Sequence, residues 1–181
     1  MVDQTFISEM KQLGALTDQD RQLLAEMKPA LEKQATPIVE AFYVQLESFE
    51  PLKQLLHAEP GRVERLKGHL ARWLVGLSAG VYEEDYLQER YRIGKRHVEV
   101  GLEPRYVIAA MAFCRGFASR QIVEAEYPAD PQKEARMIAL NRIMDLDLNI
   151  MLQSYDDHRL KQFLEVTGFS EALFETLMAG G

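Results

Sequence analysis

Between Pro131 and Gly168 the chain carries neither glycine nor proline. At about 1.5 Å per residue, that stretch predicts a helical rod on the order of 50 Å long. Its apolar residues fall into two stripes. One holds Met137, Leu140, Met144, Leu148, Met151 and Tyr155; the other holds Ala139, Ile143, Leu146 and Ile150. One stripe can pack on the chain's own core, and the expectation is that the other is covered by a second partner. A helix buried all round within one chain is the alternative.

The remaining sequence is helical in period almost throughout. No run of alternating β-branched residues bounded by turn signals is present, so the fold class is all-α. A short helix is expected over 4–12, ending at Gly14. Thr17 with Asp20 three residues on marks the next helix start. Pro29 and Pro37 are read as punctuation, with a helix after them carrying Ile38, Phe42, Leu46 and Phe49. Pro51 breaks that run, and Pro60–Gly61 marks a loop. From Val63 the spacing of Leu66, Leu70, Trp73, Leu74 and Leu77 has helix period. A further helix is expected over 82–98, and Pro104 is placed to open another. That next helix is rich in small residues, including Ala109, Ala112 and Gly116, so a neighbouring backbone can approach it closely. Asp130 is read as the N-cap of the long rod, with Pro131 in its first turn.

The chain has 181 residues, enough for one domain that needs no disulfide staple. A net charge of −7 without a basic block argues against nucleic acid as partner and for an acidic, cytoplasmic protein. The one cysteine, Cys114, lies in an apolar helical run, which excludes a disulfide framework. No charged-then-apolar leader opens the chain. No apolar run approaches the roughly 18 residues needed to span a membrane. Residues 1–162 are read as one domain. Residues 163–181 are read as a linker or tail toward an output domain that this chain does not carry.

Four histidines are present: His57, His69, His97 and His158. None belongs to HExxH, and none is preceded at three residues by Glu, so zinc-protease and di-iron carboxylate patterns are absent. Phosphate-binding glycine loops and nucleophile elbows are absent too. His97 stands near the end of a helix-like run, followed by Gly101 and Pro104. Two readings fit it: a structural histidine, or the proximal ligand of a haem iron. Tyr43 also reads in two ways, as an interfacial core tyrosine or as a buried hydrogen-bond donor.

Three segments in register bear on that choice. IGKRHVEVGLEP, around His97, resembles the proximal segment of the globin-coupled sensors, bacterial haem proteins related to protoglobins. RVERLKGHLARW resembles the distal helix of that family, and EAFYVQL its helix with the distal tyrosine. The resemblance covers about residues 17–160. It implies a globin fold with an extra N-terminal helix and a long C-terminal helix. It further implies haem b bound through His97, with the Tyr43 hydroxyl directed at bound O2 and Leu66 in the distal pocket; Phe42 and Val63 would lie nearby. Where the family pattern has Trp-Tyr after the proline, this chain has Tyr106-Val107. His69, one turn beyond Leu66, stands where relatives carry a small or hydroxyl residue. It is open to three readings: sixth iron ligand, which is the one carried forward, hydrogen-bond donor to O2, or a solvent-facing side chain beside Lys67 and Arg72.

The function implied is an O2 sensor, also open to CO and NO, that is not itself an enzyme. It would pass ligand state through a homodimer built on the last two long helices to an output domain. A haem redox enzyme acting on NO or peroxide and a haem-free helical interaction module are the alternatives.

Overall fold

The computed structural model describes residues 4–179, and among these the regular structure is entirely helical. α1 (Gln4–Leu13) and α2 (Asp18–Glu26) come first. The turn between them is closed by a complete capping box: the Thr17 hydroxyl accepts from Asp20 N at 3.1 Å, and Asp20 Oδ2 accepts from Thr17 N at 2.7 Å. Arg142, far along the chain, donates to the same Asp20 oxygen at 2.9 Å.

α3 (Lys28–Glu47) corrects one expectation. Pro37 does not separate two helices but lies inside a single helix of 20 residues. It sits on the solvent face with Lys33, whose carbonyl loses a helical donor where water can replace it. The opposite face buries Leu31, Ile38, Val39, Phe42 and Tyr43. α4 (Glu50–Leu56) starts with Pro51 in its first turn, and α5 (Arg62–Gly76) starts after Gly61, whose φ is 71°.

α6 (Glu84–Glu99) leads through a turn to α7 (Pro104–Ser119), opened by its proline and continued by a π-helical turn at Arg120–Glu124. α8 (Lys133–Thr167) is the long rod, and it crosses residue 162 without a break. Gly168, at φ 70°, ends it before α9 (Glu171–Ala179). Asp130 does not cap α8. Its Oδ1 accepts from Gln132 N at 2.7 Å within the preceding turn, and its Oδ2 accepts from Arg136 Nε at 2.8 Å.

The second correction concerns the two stripes of α8. Ala139, Leu140, Ile143, Met144, Leu146, Ile150, Met151 and Tyr155 are all buried within the one chain. α2, α6 and α7 all pack along α8, with α1 and the π turn touching it as well. The second stripe therefore has its cover already, and α8 by itself demands no partner. Beyond Tyr155 the rod emerges from this packing and is mostly exposed.

The tightest approach is between α6 and α8. A Cβ added at Gly94 would lie 2.5 Å from the Met151 carbonyl oxygen and 2.7 Å from Met151 Cα. Any side chain at position 94 would push these helices apart. By contrast, α3 packs against α5, whereas the backbones of α5 and α6 stay apart and the Arg90 side chain of α6 reaches across to Gly76 of α5. Among the described residues no helix is long and apolar enough to cross a membrane.

Candidate functional site

The separation of α5 from α6 leaves apolar side chains incompletely covered. Val63, Leu66 and Leu70 on α5, Ile93 on α6 and Phe113 on α7 pack against the core yet remain half-buried. They follow from helix period: 63, 66, 70 and 73 return to one face of α5. From α3, Phe42 and Tyr43 meet edge to face with ring centroids 5.5 Å apart, and Phe42 approaches Phe113 at 6.2 Å. Phe42 and Phe113 also line an apolar cleft of about 300 Å³ shared with Leu46, Tyr106 and Ala110.

Two polar groups, His97 on α6 and Tyr43 on α3, have no side-chain hydrogen bond among the described residues. His97 Nδ1 is shut off from solvent without a hydrogen bond. Burial pushes the His97 pKa down to about 4, so the ring is neutral at physiological pH and keeps a free lone pair. Tyr43 is buried, and among the described residues its hydroxyl has no hydrogen-bonding partner. Burial raises its pKa, which keeps it a phenol and a donor. An unpaired buried polar group costs roughly 1–3 kcal/mol. His97 Nδ1 is such a group, and a flat, apolar prosthetic group with one open metal valence would satisfy it. A haem fits these residues on that ground. No group of three or more His, Cys, Asp or Glu among the described residues is placed to hold a bare metal ion.

His69 is placed differently. Its ring is exposed, and its Nδ1 lies 3.0 Å from Arg72 Nη2. At 100° per residue it stands about 70° round α5 from the centre of the face formed by Leu66, Leu70, Trp73 and Leu77. Of the three readings, this geometry is the solvent-facing one. His57 is exposed beside Glu47 at 2.9 Å.

One constellation was not anticipated. Asp147 of α8 is fully buried and receives Trp73 Nε1 from α5 at 2.8 Å, the Tyr86 hydroxyl from α6 at 2.9 Å and Arg90 Nε from α6 at 2.9 Å. Burial holds the Asp147 pKa above its ordinary value, while the Arg90 charge and the Tyr86 and Trp73 donors favour the carboxylate. Burial opposes the charge on Arg90, but the Asp147 carboxylate beside it raises its pKa. The guanidinium also lies 4.0 Å from the centre of the Tyr86 ring. The sequence signal is a charge at helical spacing within an apolar stripe, Leu140, Ile143, Met144, Asp147 and Met151.

Three comparisons bear on this arrangement. The globin domain of the Geobacter sulfurreducens globin-coupled sensor superposes with a TM-score of 0.76 at 30% identity, covering 86% of this chain and 99% of that one. The all-α fold is thus that of a sensor globin. The heme-based aerotactic transducer HemAT of Halobacterium salinarum is 28% identical over 165 residues. That match covers 86% of this chain but 34% of the transducer, so the chain spans about a third of that relative's length. The protoglobin family model matches residues 3–161, and the chain belongs to the protoglobin family.

Proposed function

We propose that this protein is a haem-binding gas sensor domain whose main ligand is O2, with CO and NO taken at the same place. The observation that carries the reading is His97, a neutral imidazole with a nitrogen sealed from water and no protein partner. The names of the two relatives, a heme-based transducer and a globin-coupled sensor, support it. Haem b, when bound, supplies an iron that takes a diatomic gas. His97 would hold that iron through an imidazole nitrogen and fix it to α6. Tyr43 would donate its hydroxyl hydrogen to a polar gas molecule, because burial keeps the phenol protonated. Phe42, Val63 and Leu66 would exclude water from the same space. The test is the visible spectrum of the reduced protein with and without CO. A Soret band that shifts with CO supports the reading, and its absence after supply of haem overturns it.

His69, turned to Arg72, would supply no ligand to a bound haem. His69→Leu is therefore expected to leave the ferrous, gas-free spectrum five-coordinate and unchanged. A wild-type spectrum that is six-coordinate and becomes five-coordinate in the variant would show that α5 turns to bring the ring inward.

The output step is proposed to run through a homodimer on α7 and α8. Its support is no longer the second stripe of α8 but the outer face of α7. Ala109, Ala112 and Gly116 are exposed there, and a Cβ at Gly116 meets nothing within 4 Å. The residue is small without any need in its own chain, which suits close approach of another helix. Gly116→Glu is expected to fold normally and to sediment as a monomer where the wild type sediments as a dimer. A monomeric wild type at micromolar concentration would contradict this.

A further inference from the structure

Asp147 joins three helices that have different relations to the candidate haem site. Trp73 lies one turn beyond Leu70 on α5. Arg90 and Tyr86 lie on α6, where Arg90, Gly94 and His97 recur at helical spacing. On α8, Asp147, Met151 and Tyr155 recur at intervals of four. These two rows meet in register. Asp147 receives Arg90, the Met151 backbone abuts Gly94, and the Tyr155 hydroxyl donates to the Leu102 carbonyl at 2.8 Å. His97 falls between the second and third of these contacts. Its own carbonyl accepts from Leu102 N at 3.0 Å, so the turn that Tyr155 grips is also tied to His97.

We propose that Trp73, Tyr86, Arg90 and Asp147 are positioning residues that carry ligand state from the haem site to α8, with the Gly94–Met151 contact as the fulcrum. The inference rests on the reading of His97 as the iron ligand. Gly94 has no side chain to yield and Met151 presents backbone, so α6 can rock on α8 but cannot approach it further. A displacement of His97 on one side of that contact is then met by a displacement of Arg90 on the other. Asp147 cannot release Arg90 without leaving a buried charge unpaired, so it must follow. Trp73 reports the same carboxylate from the opposite helix, which places α5 and α6 on one shared acceptor. A network of this kind has the contiguous physical connection that coupling between sites uses.

The chain contains a single tryptophan, so the junction has its own spectroscopic reporter. Ultraviolet resonance Raman spectra of the wild-type holoprotein are expected to show the indole N–H hydrogen-bond marker band of Trp73 moving between the ferrous gas-free and CO-bound states. Tyr86→Phe keeps both Trp73 and Arg90 on Asp147 and is expected to fold and to retain haem. Its CO dissociation rate should differ from wild type by about threefold or more, as mutations along a coupled network do. A marker band at the same position in both states, or an unchanged CO dissociation rate in Tyr86→Phe, would overturn the proposal. Failure of the underlying haem reading would appear separately, as a protein without a Soret band.

Discussion

His97→Ala is expected to abolish stable haem retention. Position 97 is the one place in the described chain where a buried imidazole nitrogen lacks a partner. The other histidine near the site, His69, is exposed and paired with Arg72. Loss of a residue that merely supports a metal ligand costs about 10- to 100-fold in affinity, so loss of the ligand itself should exceed about 100-fold. The variant should still fold, because the residue makes no side-chain hydrogen bond that the fold depends on. Purified His97→Ala should therefore keep its far-ultraviolet circular dichroism and lack a Soret band. External imidazole should restore part of the haem binding, which a general packing defect would not allow. Retention of wild-type haem stoichiometry by His97→Ala would show that the iron is held elsewhere.

Tyr43→Phe is expected to accelerate O2 release while changing CO release little. A hydrogen bond to a charged or strongly polar acceptor is worth about 1.5–3 kcal/mol, or about 10- to 100-fold in rate if lost on dissociation. Bound CO carries little charge and gains little from a phenol donor. The substitution removes one oxygen whose hydroxyl has no protein partner, so stability should hold or rise slightly. Autoxidation of the O2 complex should quicken as well. Stopped-flow measurement of O2 and CO dissociation on the same preparations separates the two effects. Equal O2 off-rates in variant and wild type would remove Tyr43 from the distal role.

Helix period and local caps made much of this fold readable from the sequence. The start of α2 at Thr17, the break at Pro60–Gly61, the run from Val63 and the opening of α7 at Pro104 all follow from local chemistry, and all appear in the structure. The departures share one cause, which is that tertiary surroundings decide how local signals are used. Pro37 stays within α3 because its face is toward water. Asp130 serves a turn and Arg136 instead of a helix end. The two stripes of α8 gave the width of its apolar surface but not the number of helices from the same chain that would cover it.

The site was legible to a different degree. His97 and Tyr43 stand out through family resemblance, and the structure adds that His97 Nδ1 is sealed off without a partner and that Tyr43 is buried. His69 lay one turn from Leu66, close enough to the apolar face for sequence spacing alone to leave its direction open. The Asp147 junction is not legible in the sequence because its four members are spread from position 73 to position 147, and helix period treats a lone charge in an apolar stripe as a flaw. Its donors come from two other helices, and no local pattern announces them.

The central claim is that this globin fold holds haem through His97, and titration of the purified protein with haem tests it most directly. A Soret band is expected to grow linearly and saturate at one equivalent of haem per chain, with reduction and CO moving it to a new maximum. A titration without a saturable Soret band, or with the same weak, non-stoichiometric uptake in wild type and His97→Ala, would contradict it.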